Sequence, residues 1–142
     1  MRILAVDPGE KRLGIAISDP SGTIANPMTV IQHVSRTIDA ATIASLAAEH
    51  EAVLIIVGQS LDAENQPTPQ GRSAARLAKA IQTQTDIAVQ LWDETGSTLA
   101  ARNAHIAMGG SARKRRQRGH GHLDDMAATY ILQTYLDAQT KA

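Results

Sequence analysis

Acidic side chains at three separated points of the 142-residue chain stand out as candidates for chemistry: Asp7, the pair Asp93-Glu94 and the pair Asp124-Asp125. Asp7 leads the stretch Asp7-Pro8-Gly9-Glu10-Lys11-Arg12, and Asp-Pro-Gly by itself is ordinary turn chemistry. Asp93-Glu94 closes an apolar run, whereas Asp124-Asp125 opens one, where acids favourably oppose a helix dipole. Their combination points further than turns and caps. An acid ends a central strand, a second ends a neighbouring strand, and a third opens a helix that must pack back across the sheet. With no cysteine and no clear histidine cluster, three carboxylates make a hard, oxygen-only donor set that suits Mg²⁺ or Mn²⁺. Two such ions roughly 4 Å apart can activate a water and stabilise the leaving oxygen of a phosphodiester.

A second feature complements the first. Arg113-Lys114-Arg115-Arg116-Gln117-Arg118 places five cations in six positions, bracketed by Gly109-Gly110 and by Gly119 and Gly121, and reads as a mobile basic loop over 109–121. The formal net charge is zero, yet residues 1–101 hold 7 Lys/Arg against 11 Asp/Glu while residues 102–142 hold 7 against 3. A polyanion held at one edge explains that asymmetry, since an acidic metal site alone would repel nucleic acid. Contacts from Arg113, Lys114, Arg115, Arg116 and Arg118 would grip phosphates without reading sequence. The only aromatics are Trp92, Tyr130 and Tyr135, too few for a base-stacking platform, so duplex or structured nucleic acid is the expected ligand. His120 and His122 read as loop residues, and His33, His50 and His105 as surface residues without a role.

The elements that must position the acids follow from hydrophobic patterning. Residues 2–6 form a short apolar run expected to be a buried strand, followed by strands over 13–18 and 22–31, the latter bent at Asn26-Pro27. Short connections make these three an antiparallel meander. Ser35 offers an N-cap for a helix to His50 with Ile38, Ala41 and Leu46 on its apolar period. Val53-Leu54-Ile55-Ile56-Val57 is apolar at consecutive positions, the pattern of a strand covered on both faces. A polar loop over 58–70, a helix over 71–84, a strand over 87–92, a helix from Ser97 or Thr98 to Met108 and a last helix over 122–137 complete the chain.

A meander followed by alternating units implies one α/β domain over 1–142: a mixed five-stranded sheet with helices on both faces. Sites in such sheets form beyond the carboxyl ends of the strands, where the acids lie. If the fifth strand stands two places from the first, their backbones are roughly 10 Å apart. The longer Glu94 then fits better than Asp93, since adjacent residues point to opposite faces. On the last helix Asp124 aligns with Ala128, Ile131 and Tyr135, and Asp125 with Thr129, Leu132 and Leu136, so spacing alone leaves both open. The absence of cysteine excludes a disulfide scaffold, a thiolate nucleophile and a thiolate zinc site. No apolar stretch approaches membrane-span length, and an acid at position 7 comes too early for a signal peptide, so a cytoplasmic location is expected.

Asp7-Pro-Gly-Glu-Lys-Arg-Leu-Gly-Ile-Ala-Ile-Ser-Asp19 resembles the opening motif of the YqgF family, described as pre-16S rRNA nucleases and as Holliday-junction-resolvase-like, with a ribonuclease-H-like fold. Leu91-Trp92-Asp93-Glu94-Thr95-Gly96-Ser97-Thr98 resembles that family's Asp-Glu-Arg-x-Ser/Thr-Thr motif. The stretch from His122 to Ala128, continued by Ile131-Leu132-Gln133-Thr134-Tyr135-Leu136, resembles its ending. The resemblance implies Asp7, Glu94 and Asp124 as the catalytic, metal-holding acids. Thr95 stands where the family has Arg, Gly96 where an apolar residue follows, Ser60 where Pro is usual, and no Lys precedes the last motif.

The expected function is therefore a metal-dependent endonuclease, with Mg²⁺ or Mn²⁺ as two-ion cofactor. Its expected task is 5′-end maturation of pre-16S rRNA during ribosome biogenesis. Alternatives are a Holliday-junction-type DNA resolvase or a binding module that keeps the fold without catalysis. An actin-like ATPase is disfavoured, because 142 residues supply one lobe of a two-lobed cleft. Structured RNA or branched DNA is the expected partner, with no membrane, and a homodimer is allowed for.

Overall fold

The computed structural model describes residues 1–93 and 120–140, with side chains of the last helix described from Met126 onward. Its strands are β1 (Arg2–Asp7), β2 (Arg12–Ser18), β3 (Ala25–Gln32), β4 (Ala52–Gln59) and β5 (Ala88–Asp93). Its helices are α1 (Arg36–Glu49), α2 (Pro69–Gln82) and α3 (His120–Thr140). The five strands form one sheet in the order β3-β2-β1-β4-β5. β1–β2 and β2–β3 pair antiparallel, while β1–β4 and β4–β5 pair parallel, so β5 stands two places from β1 as expected. β3 is an edge strand. Its pairing with β2 slips between Ile15 and Ala16, where Ala16 faces Pro27, and this bulge is the bend expected at Asn26-Pro27.

Each sheet face has its own core. Leu4, Val6, Leu13, Ile15, Ile55 and Val57 face α1 and α2, which supply Ala40, Ile43, Ala47, Ala74, Leu77, Ala78 and Ile81. Ala5, Ala16 and Ile56 face the other way, against Ala128, Ile131, Leu132, Tyr135 and Leu136 of α3. Alternation along β1 and β4 thus buries successive residues on opposite faces, which is why both strands read as unbroken apolar runs. Val53, at the start of β4, departs most from that reading, being 49% exposed, and Ile3 and Leu54 are partly buried.

Helix ends follow local chemistry. Ser35 caps α1, its hydroxyl accepting the Ile38 N–H at 3.2 Å. The buried face of α1 differs from the expected one: Ile38 is half exposed, and Ala40, Ile43, Ala44 and Ala47 pack on the sheet instead. The cause is Asp39, drawn inward because its carboxylate accepts the Val34 N–H at 3.0 Å and pairs with His33 Nδ1. His33 is exposed at the surface, as expected, and is also the partner of this buried acid. α2 starts two residues earlier than expected, at Pro69, with Thr68 as its cap. α3 likewise begins at His120 rather than 122. The helix expected to end at Met108 and the basic run 113–118 lie outside the described residues.

Candidate active site

Asp7 ends β1, the middle strand of the sheet, opposite Gly14 of β2. Ile3 and Ala5 belong to the core beneath α3, whereas Leu4 and Val6 belong to the opposite one. Continuing that alternation, Asp7 falls on the α3 face, two residues beyond the fully buried Ala5. The turn behind it is held tight by Gly9: a Cβ there would lie 2.3 Å from the Arg12 carbonyl oxygen. Only a residue without a side chain permits that approach.

Alternation in β5 separates its two acids. Val89 and Leu91 pack against the α1/α2 core, and Trp92 packs against the α3 core. Asp93, paired with Gln59 of β4, follows Leu91 to the α1/α2 face, away from Asp7. Strand geometry thus directs Asp93, the member of the pair not expected in the site, away from Asp7, and Glu94 lies outside the described residues. Asp124 belongs to α3, one turn before Ala128, which is fully buried beneath the helix. Among the described residues, no three His, Cys, Asp or Glu side chains gather closely enough to hold a metal ion.

The contacts of Trp92 with Thr134 and Tyr135 were not anticipated from residue type or spacing. Its indole Nε1 donates to Thr134 Oγ1 at 3.0 Å, and its ring meets Tyr135 edge-to-face, with centroids 5.1 Å apart at 88°. The next residue back, Gln133, takes the Ala25 N–H on Oε1 at 3.0 Å and donates from Nε2 to the Thr23 carbonyl at 3.1 Å. Contacts between residues more than 40 positions apart leave no local signature in sequence.

A cleft of about 490 Å³ adjoins the Asp7 turn, lined by Pro8, Gly9, Glu10, Ser60, Thr68 and Gln70 among others. Asp7 is not among its lining residues. Ser60, which replaces the proline usual in the resembled family, has its hydroxyl 2.8 Å from Thr68 Oγ1, and its carbonyl accepts the Thr68 N–H. A Cβ at Gly71 would lie 2.3 Å from the Ser60 carbonyl oxygen, so the end of β4 and the start of α2 are in direct backbone contact. Ser60 therefore has a positive structural use here.

Asp19, the acid that closes the opening motif, sits at the other end of the sheet. Its carboxylate accepts the N–H groups of Ile24 and Thr23 at 3.0 and 2.8 Å and the Ser21 hydroxyl at 2.6 Å. Those bonds, that from Ile24 foremost, hold its pKa down at about 2. It organises the β2–β3 turn and is remote from the strand ends that carry Asp7 and Asp93.

Comparison with known proteins bears on both fold and family. The Holliday junction resolvase family RuvX matches residues 1–138. A protein of Clostridium beijerinckii named "Putative pre-16S rRNA nuclease" is 35% identical over 137 residues, covering 96% of each chain. One of the same name from Thermoanaerobacter pseudethanolicus is 37% identical over 139 residues, covering 98% of each. Among solved structures, T. thermophilus RuvC in complex with Holliday junction substrate aligns with a TM-score of 0.57 at 13% identity, covering 99% of this chain and 96% of that one. Fowlpox virus resolvase with its substrate Holliday junction DNA aligns at 0.58 and 17%, covering 98% and 99%. Those two likenesses show a shared ribonuclease-H-like fold, mixed sheet included. Matched along 138 residues by the family and along nearly its whole length by relatives above 30% identity, the chain belongs to the RuvX family, the YqgF-type nucleases that its Asp7 motif resembles.

Proposed function

We propose that this nuclease cuts structured RNA with Asp7, Glu94 and Asp124 as its catalytic acids, in the 5′-end maturation of pre-16S rRNA. The observation that carries the reading is the position of Asp7. It stands at the carboxyl end of the central strand, on the sheet face covered by the helix that contains Asp124. Asp93 lies on the other face, which leaves Glu94 as the acid of its pair suited to join Asp7. The relatives' shared name supports pre-16S rRNA as the substrate. Such work belongs in the bacterial cytoplasm, and no helix among the described residues is long and apolar enough to cross a membrane.

The donor set fits a divalent cation: carboxylate oxygens, with no sulfur in the chain beyond methionine. Mg²⁺ or Mn²⁺ held by Asp7, Glu94 and Asp124 supplies charge neutralisation and an acidified water when bound. The remaining work falls to the chain itself. β1 fixes the first acid against a fully buried core. Arg113, Lys114, Arg115, Arg116 and Arg118, just before Asp124 in sequence, offset the acids' repulsion of the substrate and grip its phosphates. Thr95 and Gly96, where the resembled family has Arg and an apolar residue, remove one phosphate-positioning charge without touching the acids.

The test is cleavage of precursor RNA spanning the mature 5′ end, with Mg²⁺ or Mn²⁺, by the wild type, Asp7→Asn and Glu94→Gln. Loss in both variants is expected, and equal cleavage by all three overturns the site. Chelator should stop cleavage. Binding that persists with chelator while no cut is seen with metal would instead mark a binding module. Replacing the five cations of 113–118 by Gln should reduce the salt slope of binding by up to about 4 logarithmic units per decade.

A second reading, a resolvase acting on branched DNA, is favoured by the family description and by the two junction-bound structures of the same fold. It requires a homodimer, since a four-way junction presents two equivalent strands to be cut by a two-fold pair. A four-way DNA junction in the same assay distinguishes the substrates.

A further inference from the structure

We infer that Trp92 is a positioning residue for the metal-holding acids, tying the strand that leads to Glu94 to the helix that contains Asp124. The inference rests on the active site proposed above and adds to it a specific structural link. Among the described residues, β5 is the outermost strand on its side and pairs only with β4 in the sheet. An edge strand has one lateral restraint fewer than β1, so its carboxyl end depends on side chains to hold it in place. Val89 and Leu91 bind it to the α1/α2 core, and Trp92 is the β5 residue that reaches the α3 core.

The tie has two points of contact. Trp92 Nε1 donates to Thr134 Oγ1 at 3.0 Å, while the Thr134 hydroxyl donates in turn to the Ile131 carbonyl at 2.7 Å. That second bond orients the hydroxyl so that its lone pair is presented to the indole. The edge-to-face contact with the buried Tyr135 prevents the indole from swinging about this bond. On the opposite flank Gln133 fastens the same turn of α3 to Thr23 and Ala25 at the start of β3. Three consecutive residues, Gln133, Thr134 and Tyr135, therefore pin α3 from both sides and resist its rotation about its own axis. Rotation of α3 would carry Asp124 around with it, and slippage of β5 would move Glu94, two residues after Trp92. Cation affinity is sensitive to such movements, because loss of outer-shell support typically costs ten- to a hundredfold.

The experiment measures Mn²⁺ uptake without substrate, from the electron paramagnetic resonance signal of free Mn²⁺, beside thermal melting followed by circular dichroism. The variants are Trp92→Phe, which keeps a ring against Tyr135 and loses the N–H, Thr134→Val, which loses the acceptor, and the double variant. Each single variant should weaken Mn²⁺ binding about three- to tenfold, and the double no more than the stronger single, because both break the same bond. As the only tryptophan in the chain, Trp92 should also change its emission in the wild type as Mn²⁺ or Mg²⁺ binds. Folded variants that melt lower but take up Mn²⁺ with wild-type affinity would overturn the inference, leaving Trp92 a packing residue only. No uptake by the wild type, or equal uptake by Asp7→Asn, overturns the site reading of the preceding section instead.

Discussion

Two Asp-Pro turns bracket β2, one at each end. Asp7-Pro8-Gly9 follows β1 and Asp19-Pro20-Ser21 follows β2. The dipeptide is the same, and by local sequence either acid could serve as turn former or as ligand. At Asp19 the carboxylate closes its own turn, accepting from Ile24, Thr23 and Ser21. At the Asp7 turn, closure involves the missing side chain of Gly9, which lets the Arg12 carbonyl approach. Topology explains the difference in assignment. Asp7 ends the central strand on the α3 face, whereas the antiparallel β2 delivers Asp19 to the opposite end of the sheet.

The largest effect that could break this comparison is on catalysis. Asp7→Asn should reduce cleavage about a thousandfold, roughly 4 kcal/mol of transition-state stabilisation, while Asp19→Asn should stay within about twofold of wild type. Single-turnover rates at saturating Mg²⁺ measure both; equal losses would mean that the two turns are merely scaffolding. Next in size is Gly9→Ala. Its Cβ meets a backbone oxygen, so the turn must open, at a cost of about 2 kcal/mol in denaturant unfolding. The same variant should slow cleavage, because the displaced turn carries Asp7 with it.

A smaller effect is on acid stability. With a folded pKa of about 2 against an ordinary 3.8, Asp19 binds protons less readily folded than unfolded. Its stabilisation is therefore full above about pH 4 and is lost as pH falls towards 2. Thermal melts between pH 4 and 2 should show a steeper decline in wild type than in Asp19→Asn. Matching slopes would remove Asp19 from its role as turn organiser.

What the sequence disclosed follows the same division between local and distant causes. The run 2–6 announced a buried strand, 53–57 a strand covered on both faces, and the short links among the first three strands the meander, because patterning and turn chemistry act within a few residues. Ser35 was visible as a cap for that reason. Thr68 was equally available, since a Thr followed by Pro69 is a common helix start, but the polar stretch around it resembled an open loop. The inward face of α1 was misjudged: Ile38 and Ala41 were expected on it, whereas Asp39 is buried there and bonded to Val34 and His33. The cross-links from Trp92 to Thr134 and from Gln133 to Ala25 depend on the folded path of the whole chain. Of the three proposed acids, Asp7 could be placed by alternation alone; choosing Asp124 over Asp125 needed the family resemblance.

The bulge opposite Ala16 has a consequence for behaviour in concentrated solution. Pro27 interrupts the row of amide donors along β3, and the broken register prevents the strand from lying flat. A stray extended segment, whether from a neighbouring copy or a nascent chain, finds no continuous ladder to extend along that border. The outer meander is thereby guarded against runaway strand stacking and the fibrous deposits it produces.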